Sequence, residues 1–168
     1  MPQKAGLRGG MRLNTNEYSQ YYAEQLAVGQ EFQDFVQDIF HSKLGLSVGM
    51  YQSKKYQIEK GENRAGVEIK RDGKFRGTGN LYIELAEKSR PRSGQMAKSG
   101  INREDNTWLY VIGDEQTIFV FSKAFLVCLS NSGKYRIVEN GYGTSRGMLL
   151  PLTDAMKYAA KVISEGEQ

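Results

Sequence analysis

Residues Gly66-Val67-Glu68-Ile69-Lys70-Arg71-Asp72, followed at a short interval by Thr78-Gly79-Asn80-Leu81-Tyr82-Ile83-Glu84-Leu85-Ala86, decide the fold class. In the first segment Val67 and Ile69 alternate with Glu68, Lys70 and Asp72. In the second, Leu81, Ile83 and Leu85 alternate with Asn80, Tyr82, Glu84 and Ala86. Period two is the signature of strands, and the glycine-containing stretch from Gly73 to Gly79 reads as the loop of a hairpin joining them. If both apolar sets share one core side, the register follows, because a one-residue slip would turn Glu84 into the core. Centring the loop on Arg76 makes Glu68 and Glu84 direct cross-strand neighbours, with Lys70 opposite Tyr82 and diagonal to Glu84.

Outward from this hairpin the chain alternates helix and strand signals. Upstream, the sequence reads as helical from Asn16, and Phe32, Phe35, Val36, Ile39 and Phe40 recur on one helical face until Gly45 supplies a stop. Glu31 lies at the edge of that stripe. Between 46 and 60, Val48, Met50, Tyr56 and Ile58 suggest one strand. Downstream, residues 88 to 106 form a polar loop carrying Lys88, Arg90, Arg92, Lys98 and Arg103. Thr107 to Ile112 and Thr117 to Phe121 are β-branched and aromatic, and Gly113-Asp114-Glu115-Gln116 divides them, which predicts a second hairpin. Ser122 caps a short helix through Leu129, Tyr135 to Val138 and Gly147 to Leu152 are short strands, and Thr153 or Asp154 opens a last helix to about Ser164. The sum is an α+β domain over residues 16–168, a mixed, mostly antiparallel central sheet flanked by helices, preceded by a flexible basic arm over residues 1–15.

The 168 residues are 39% hydrophobic and 25% charged, which suits one folded domain and excludes a disordered class. Cys128, the single cysteine, stands in the apolar run Ala124 to Leu129 and is expected to be a buried thiol. One cysteine excludes an intrachain disulfide framework. The N-terminal residues lack the apolar segment of a signal peptide and no later stretch has the length and apolarity of a transmembrane span, so a cytoplasmic protein without membrane contact is expected. A net charge of +4 and a pI near 9.1 suit a polyanionic partner without identifying one.

Two carboxylates directly across a ladder would place Cβ atoms roughly 5 Å apart, which is unfavourable unless a positive charge lies between them. Lys70 offsets only part of the charge of Glu68, Asp72 and Glu84. A divalent ion is the expected remainder, and hard oxygen ligands without histidine or cysteine suit Mg2+ or Mn2+, ions that work on phosphates. His41, the lone histidine, cannot build a multi-histidine site. Tyr18, Tyr21 and Tyr22 are expected to pack rather than to stack on bases.

The two quoted segments, with Ser99-Gly100-Ile101 and Trp108 downstream, resemble the PD-(D/E)xK nuclease superfamily in its phage and prophage branch, over roughly residues 30 to 121. The resemblance implies a restriction-endonuclease-like core and a metal-dependent endonuclease acting on duplex or branched DNA. It makes Glu68 and Glu84 metal-binding acids and Glu31 the helix glutamate that many members contribute; Glu31 and Asp72 are the candidates for helping to bind a second metal. The position two after Glu84, where the family's lysine stands, is Ala86. Lys70 on the adjacent strand and Lys88 beyond Ala86 are the two replacements, with Lys70 preferred because it needs no assumption about the strand's end. A lower-ranked pairing takes Glu68-Ile69-Lys70 as the acid and lysine, with Glu59 or Glu62 as the earlier acid. Arg92, Lys98 and Arg103 are candidates for contacting the DNA backbone. Such nucleases often act as homodimers, and the rival expectation is a catalytically inactive DNA-binding protein on the same fold.

Overall fold

A computed structural model describes residues 15–88 and 94–165. The expected arm lies outside them apart from Thr15, as does Arg92. The first helix, α1, runs from Thr15 to Leu44 and buries Phe32, Val36 and Phe40, successive residues one turn apart. It ends as expected at Gly45, whose φ of +64° lets its N–H reach the His41 carbonyl while that of Leu46 reaches Phe40. A short helix, α2 (Lys54–Lys60), replaces the strand expected between 46 and 60. Ser53 caps it by accepting from the Tyr56 amide, and only Met50 keeps an extended pairing, an isolated bridge to Asn63.

The remaining elements are β1 (Val67–Arg71), α3 (Phe75–Thr78), β2 (Asn80–Glu87), β3 (Ala97–Lys98), β4 (Leu109–Gly113), β5 (Thr117–Ser122), α4 (Lys123–Asn131), β6 (Ile137–Glu139), β7 (Ser145–Pro151), α5 (Leu152–Tyr158) and β8 (Lys161–Ser164). The class is α+β, with mixed, mostly antiparallel sheet flanked by helices. The sheet is divided in two, ordered β1-β4-β5-β8 and β3-β2-β7-β6. The hairpin of β4 and β5 and the capping of α4 by Ser122 follow the sequence reading. The last helix is shorter than expected: after Ala159 the chain extends again as β8 against β5. Cys128 is exposed, because α4 presents Leu126 to the core and Cys128, two positions on, falls outside that face. No helix among the described residues is long and apolar enough to cross a membrane.

The first hairpin does not form. β1 pairs in parallel with β4, and β2 pairs with β7 and β3 in the other sheet. The assumption that failed is the shared core side. Val67 and Ile69 pack with Val111, Val120 and the apolar face of α1, whereas Leu81, Ile83 and Leu85 pack with Tyr110, Ile112, Phe121 and Leu126. The β1 sheet is thus covered on both faces, by α1 on one side and by the second sheet with α4 and α5 on the other. The chain crosses between sheets at Asp72, whose carboxylate accepts from the Lys74 amide at 2.9 Å and the Tyr82 amide at 2.9 Å.

Candidate active site

Glu68 takes its position from the parallel pairing, which sets it beside Tyr110. Its side chain is 0% exposed, and neither carboxylate oxygen has a hydrogen-bond partner. Lys70, two residues along the same strand face, brings Nζ to 3.3 Å from Oε1, an ion pair outside hydrogen-bond geometry. Burial opposes the charge on Lys70, but Glu68, then Glu84, Tyr110 and Glu62, more than offset it and hold the ammonium above its ordinary range. The Tyr110 hydroxyl is also buried without a partner, the Glu84 backbone facing it outside hydrogen-bond geometry. Burial, reinforced by the charge of Glu68, pushes this phenol well above its usual range.

Glu84 arrives from the other sheet and meets the same Lys70 and Tyr110. It is half-buried, and Ser99 donates its hydroxyl to Oε1 at 2.6 Å. Gly100 is needed beside it. Its φ is +52°, and a Cβ there would stand 2.2 Å from the Glu84 carbonyl oxygen. The register of β2 against β7 slips between Glu84 and Ala86, so two residues oppose one across the ladder. After this bulge the alternation is inverted, and Glu87 shares the face of Glu84 in place of Lys88. Accordingly Glu87 is within electrostatic reach of Glu84 and Lys70.

A third acid anchors the cationic side. The Asp105 side chain is fully buried and accepts from Arg103 Nε at 2.6 Å, Lys123 Nζ at 2.9 Å and the Thr107 amide at 2.9 Å. Burial alone would raise its carboxyl, but these donors prevail and hold it at about 2. Arg103 also reaches Glu62 at 3.5 Å, and Glu62 accepts from Gln33 of α1 at 3.5 Å. Burial opposes the Arg103 charge, and Glu68 is the leading group that sustains it, so the guanidinium faces the buried acid.

The structure therefore brings Glu68, Lys70 and Glu84 together, by packing between sheets instead of by a ladder. Several other expectations fall elsewhere. Glu31 is exposed on α1, and Gln33, nearer the buried stripe, is the helix residue that reaches the cluster. Asp72 spends both carboxylate oxygens on backbone amides at the crossover. Lys88 is turned away by the bulge, which leaves Lys70 as the lysine of the cluster. Lys98 is exposed and paired with Glu104 at 2.8 Å, while Arg103 lies inside the site and not on an open loop. Glu62, weighed only in the lower-ranked pairing, belongs to the surroundings of Lys70; Glu59 pairs with Lys55 at 3.9 Å on α2. His41 is exposed, with Ser47 Oγ 3.5 Å from Nδ1. Tyr110, Asp105, Lys123 and Glu87 carry no motif and become visible only through the pairing of β1 with β4 and the bulge.

Among the described residues no three acidic, histidine or cysteine side chains converge to hold a metal ion. Glu68 and Glu84 offer two carboxylates beside a common lysine, a donor set that suits an ion retaining several of its own waters. Comparison with protein-family models, with curated proteins and with solved structures finds no match for this chain.

Proposed function

We propose that this chain is a divalent-metal-dependent endonuclease that hydrolyses phosphodiester bonds in DNA, in the manner of the PD-(D/E)xK nucleases its sequence resembles. The observation that carries the reading is the buried Glu68 carboxylate, whose two oxygens have no hydrogen-bond partner. A carboxylate in that state costs several kcal/mol unless something positive compensates it. Lys70 and the facing Arg103 compensate in part without donating a hydrogen bond to it, and an ion held by Glu68 and Glu84 would complete the account. Mg2+ or Mn2+ held there would supply a Lewis acid and an acidified water for attack on a phosphodiester.

The chain's own residues then divide the remaining work. Lys70, kept protonated by Glu68 and Glu84, places a fixed positive charge where a phosphate would gain negative charge during hydrolysis. Arg103 supplies a second cation whose orientation is set by Asp105. Ser99 holds the Glu84 carboxylate in one orientation. Two-strand cleavage would call for a homodimer.

Nicking of supercoiled plasmid and cleavage of a four-way junction, each with Mg2+ or Mn2+, test the proposal. Wild type is expected to cut, with Glu68→Gln and Glu84→Ala slowing it at least a hundredfold or so, the scale on which a group stabilising developing charge acts. DNA retention without cutting under either ion would transfer the reading to a non-catalytic DNA-binding protein. No cutting of any DNA form overturns the enzyme.

A further inference from the structure

Trp108 is the only tryptophan of the chain, and it is 60% exposed although it stands one residue before a buried strand. Its position is nevertheless fixed. The indole Nε1–H donates to the Ala65 carbonyl at 2.8 Å, the backbone N–H donates to Gly66, and the Trp108 carbonyl accepts from the Lys123 amide at 2.9 Å. The ring lies against Gly66, where φ is +70° and a Cβ would stand 2.7 Å from Trp108 Cδ1. Glycine at 66 therefore lets the indole lie directly on the main chain, leaving its outer face to solvent.

The location of this ring matters. Gly66 and Trp108 continue the ladder in which Glu68 pairs with Tyr110. Alternation puts Trp108 on the strand face of Tyr110, and Gly66 two residues before Glu68 on β1. Two residues of strand span about 7 Å. A rigid, exposed aromatic face thus borders the acidic cluster at a distance of one or two nucleotides. Exposed Arg64, next to the Ala65 whose carbonyl holds the indole, adds a cation on the same rim.

We propose that Trp108 is a stacking platform for an unpaired base of the DNA whose backbone enters the Glu68 site, so that the substrate is DNA with a single-stranded segment. The proposal rests on the nuclease reading for the identity of the polymer. An aromatic pinned edge-on by its N–H and backed by glycine has little freedom left to lose, and a base stacks on it without displacing other contacts. Paired bases in an intact duplex are already stacked and cannot use it.

With one tryptophan, intrinsic emission reports this contact directly. In EDTA, where no cleavage occurs, a single-stranded oligonucleotide should quench the emission, and the same sequence as a blunt duplex should not. Fluorescence anisotropy of labelled DNA should show Trp108→Ala weakening single-strand binding about tenfold to a hundredfold, with duplex binding unchanged and Trp108→Phe recovering much of the loss. Unchanged emission while anisotropy reports bound single strand overturns the platform, as does an equal loss of both DNA forms in Trp108→Ala. Because quenching is read without metal and nicking with it, plasmid nicking without quenching sinks only the platform, and quenching without nicking sinks only the enzyme.

Discussion

The two strands that carry the acids, β1 and β2, look alike in sequence and end in different surroundings. On β2, Leu81, Ile83 and Leu85 are buried and Tyr82, Glu84 and Ala86 between them are half-buried, as a strand with one covered face should be. On β1, Val67, Glu68 and Ile69 are buried in succession, because α1 covers one face and the second sheet the other. The same side chain consequently has two energetic states. Glu84 keeps partial access to water and a hydroxyl donor, whereas Glu68 has lost its water and gained no donor, only the charges of Lys70 beside it and of Arg103 facing it. Alternation tells which residues share a face; it does not tell whether the polar face is wet.

Lys70→Met breaks this contrast most severely. It leaves Glu68 buried with no donor and without its ion-pair partner, only the Arg103 charge still facing it, and truncating one side of a buried pair costs roughly 3–5 kcal/mol. Lys70 is 34% exposed, so water recovers part of that, and about 2 kcal/mol is the expected loss. The midpoint of urea unfolding measures it. Glu68→Gln in the same background should restore most of the stability, since the uncompensated charge is then gone. A double variant as unstable as Lys70→Met would show that lost packing, and not charge, is responsible.

What the sequence made legible follows the reach of each signal. The amphipathic stripe of α1, the Gly113 to Gln116 turn and the Ser122 cap are decided within a few residues, and all three are observed. The partner of β1 depends on residues about forty positions downstream, and nothing in its own alternation distinguishes pairing with β2 from pairing with β4. Glu68, Lys70 and Glu84 nevertheless lie near one another, because the packing of one sheet on the other turns the polar residues of both strands toward one region. Lys88 and Glu87 were exchanged by the bulge after Glu84, a one-residue irregularity that period-two counting cannot anticipate. Asp105 was hidden for a different reason: Arg103 and Thr107 stand two residues to either side of it, but nothing in that loop marks the acid until Lys123 is brought to it from the start of α4.

Asp105 sharpens the comparison, since its side chain is as buried as that of Glu68 but is fully supplied with donors. Its carboxyl is held at about 2 against an ordinary 3.8. A depressed acid adds stability that is complete above the ordinary value and is lost as pH falls through the folded one, so the window runs from about pH 4 to about pH 2. The contribution at neutral pH is about 2 kcal/mol. Thermal unfolding followed from pH 6 to pH 2.5 should show this loss in wild type and a flatter profile in Asp105→Asn. An unchanged slope in the variant would place the acid sensitivity elsewhere.

Ser99→Ala has the smallest expected effect, and it tests the β2 side alone. Ser99 is buried and its hydroxyl is the donor that fixes Glu84 Oε1. Because Glu84 is half-buried, a water can take the vacated place, so the stability loss should be about 1 kcal/mol, near the ordinary value of one hydrogen bond. If orientation of Glu84 is what Ser99 provides, the metal concentration giving half-maximal cleavage should rise several-fold while the rate at saturating metal changes little. A fall in the saturated rate with no change in metal requirement would instead put Ser99 in contact with the DNA. Glu68 has no donor to remove, so the same orientation must come to it from packing between α1 and the second sheet, and the two acids of one site are held by different means.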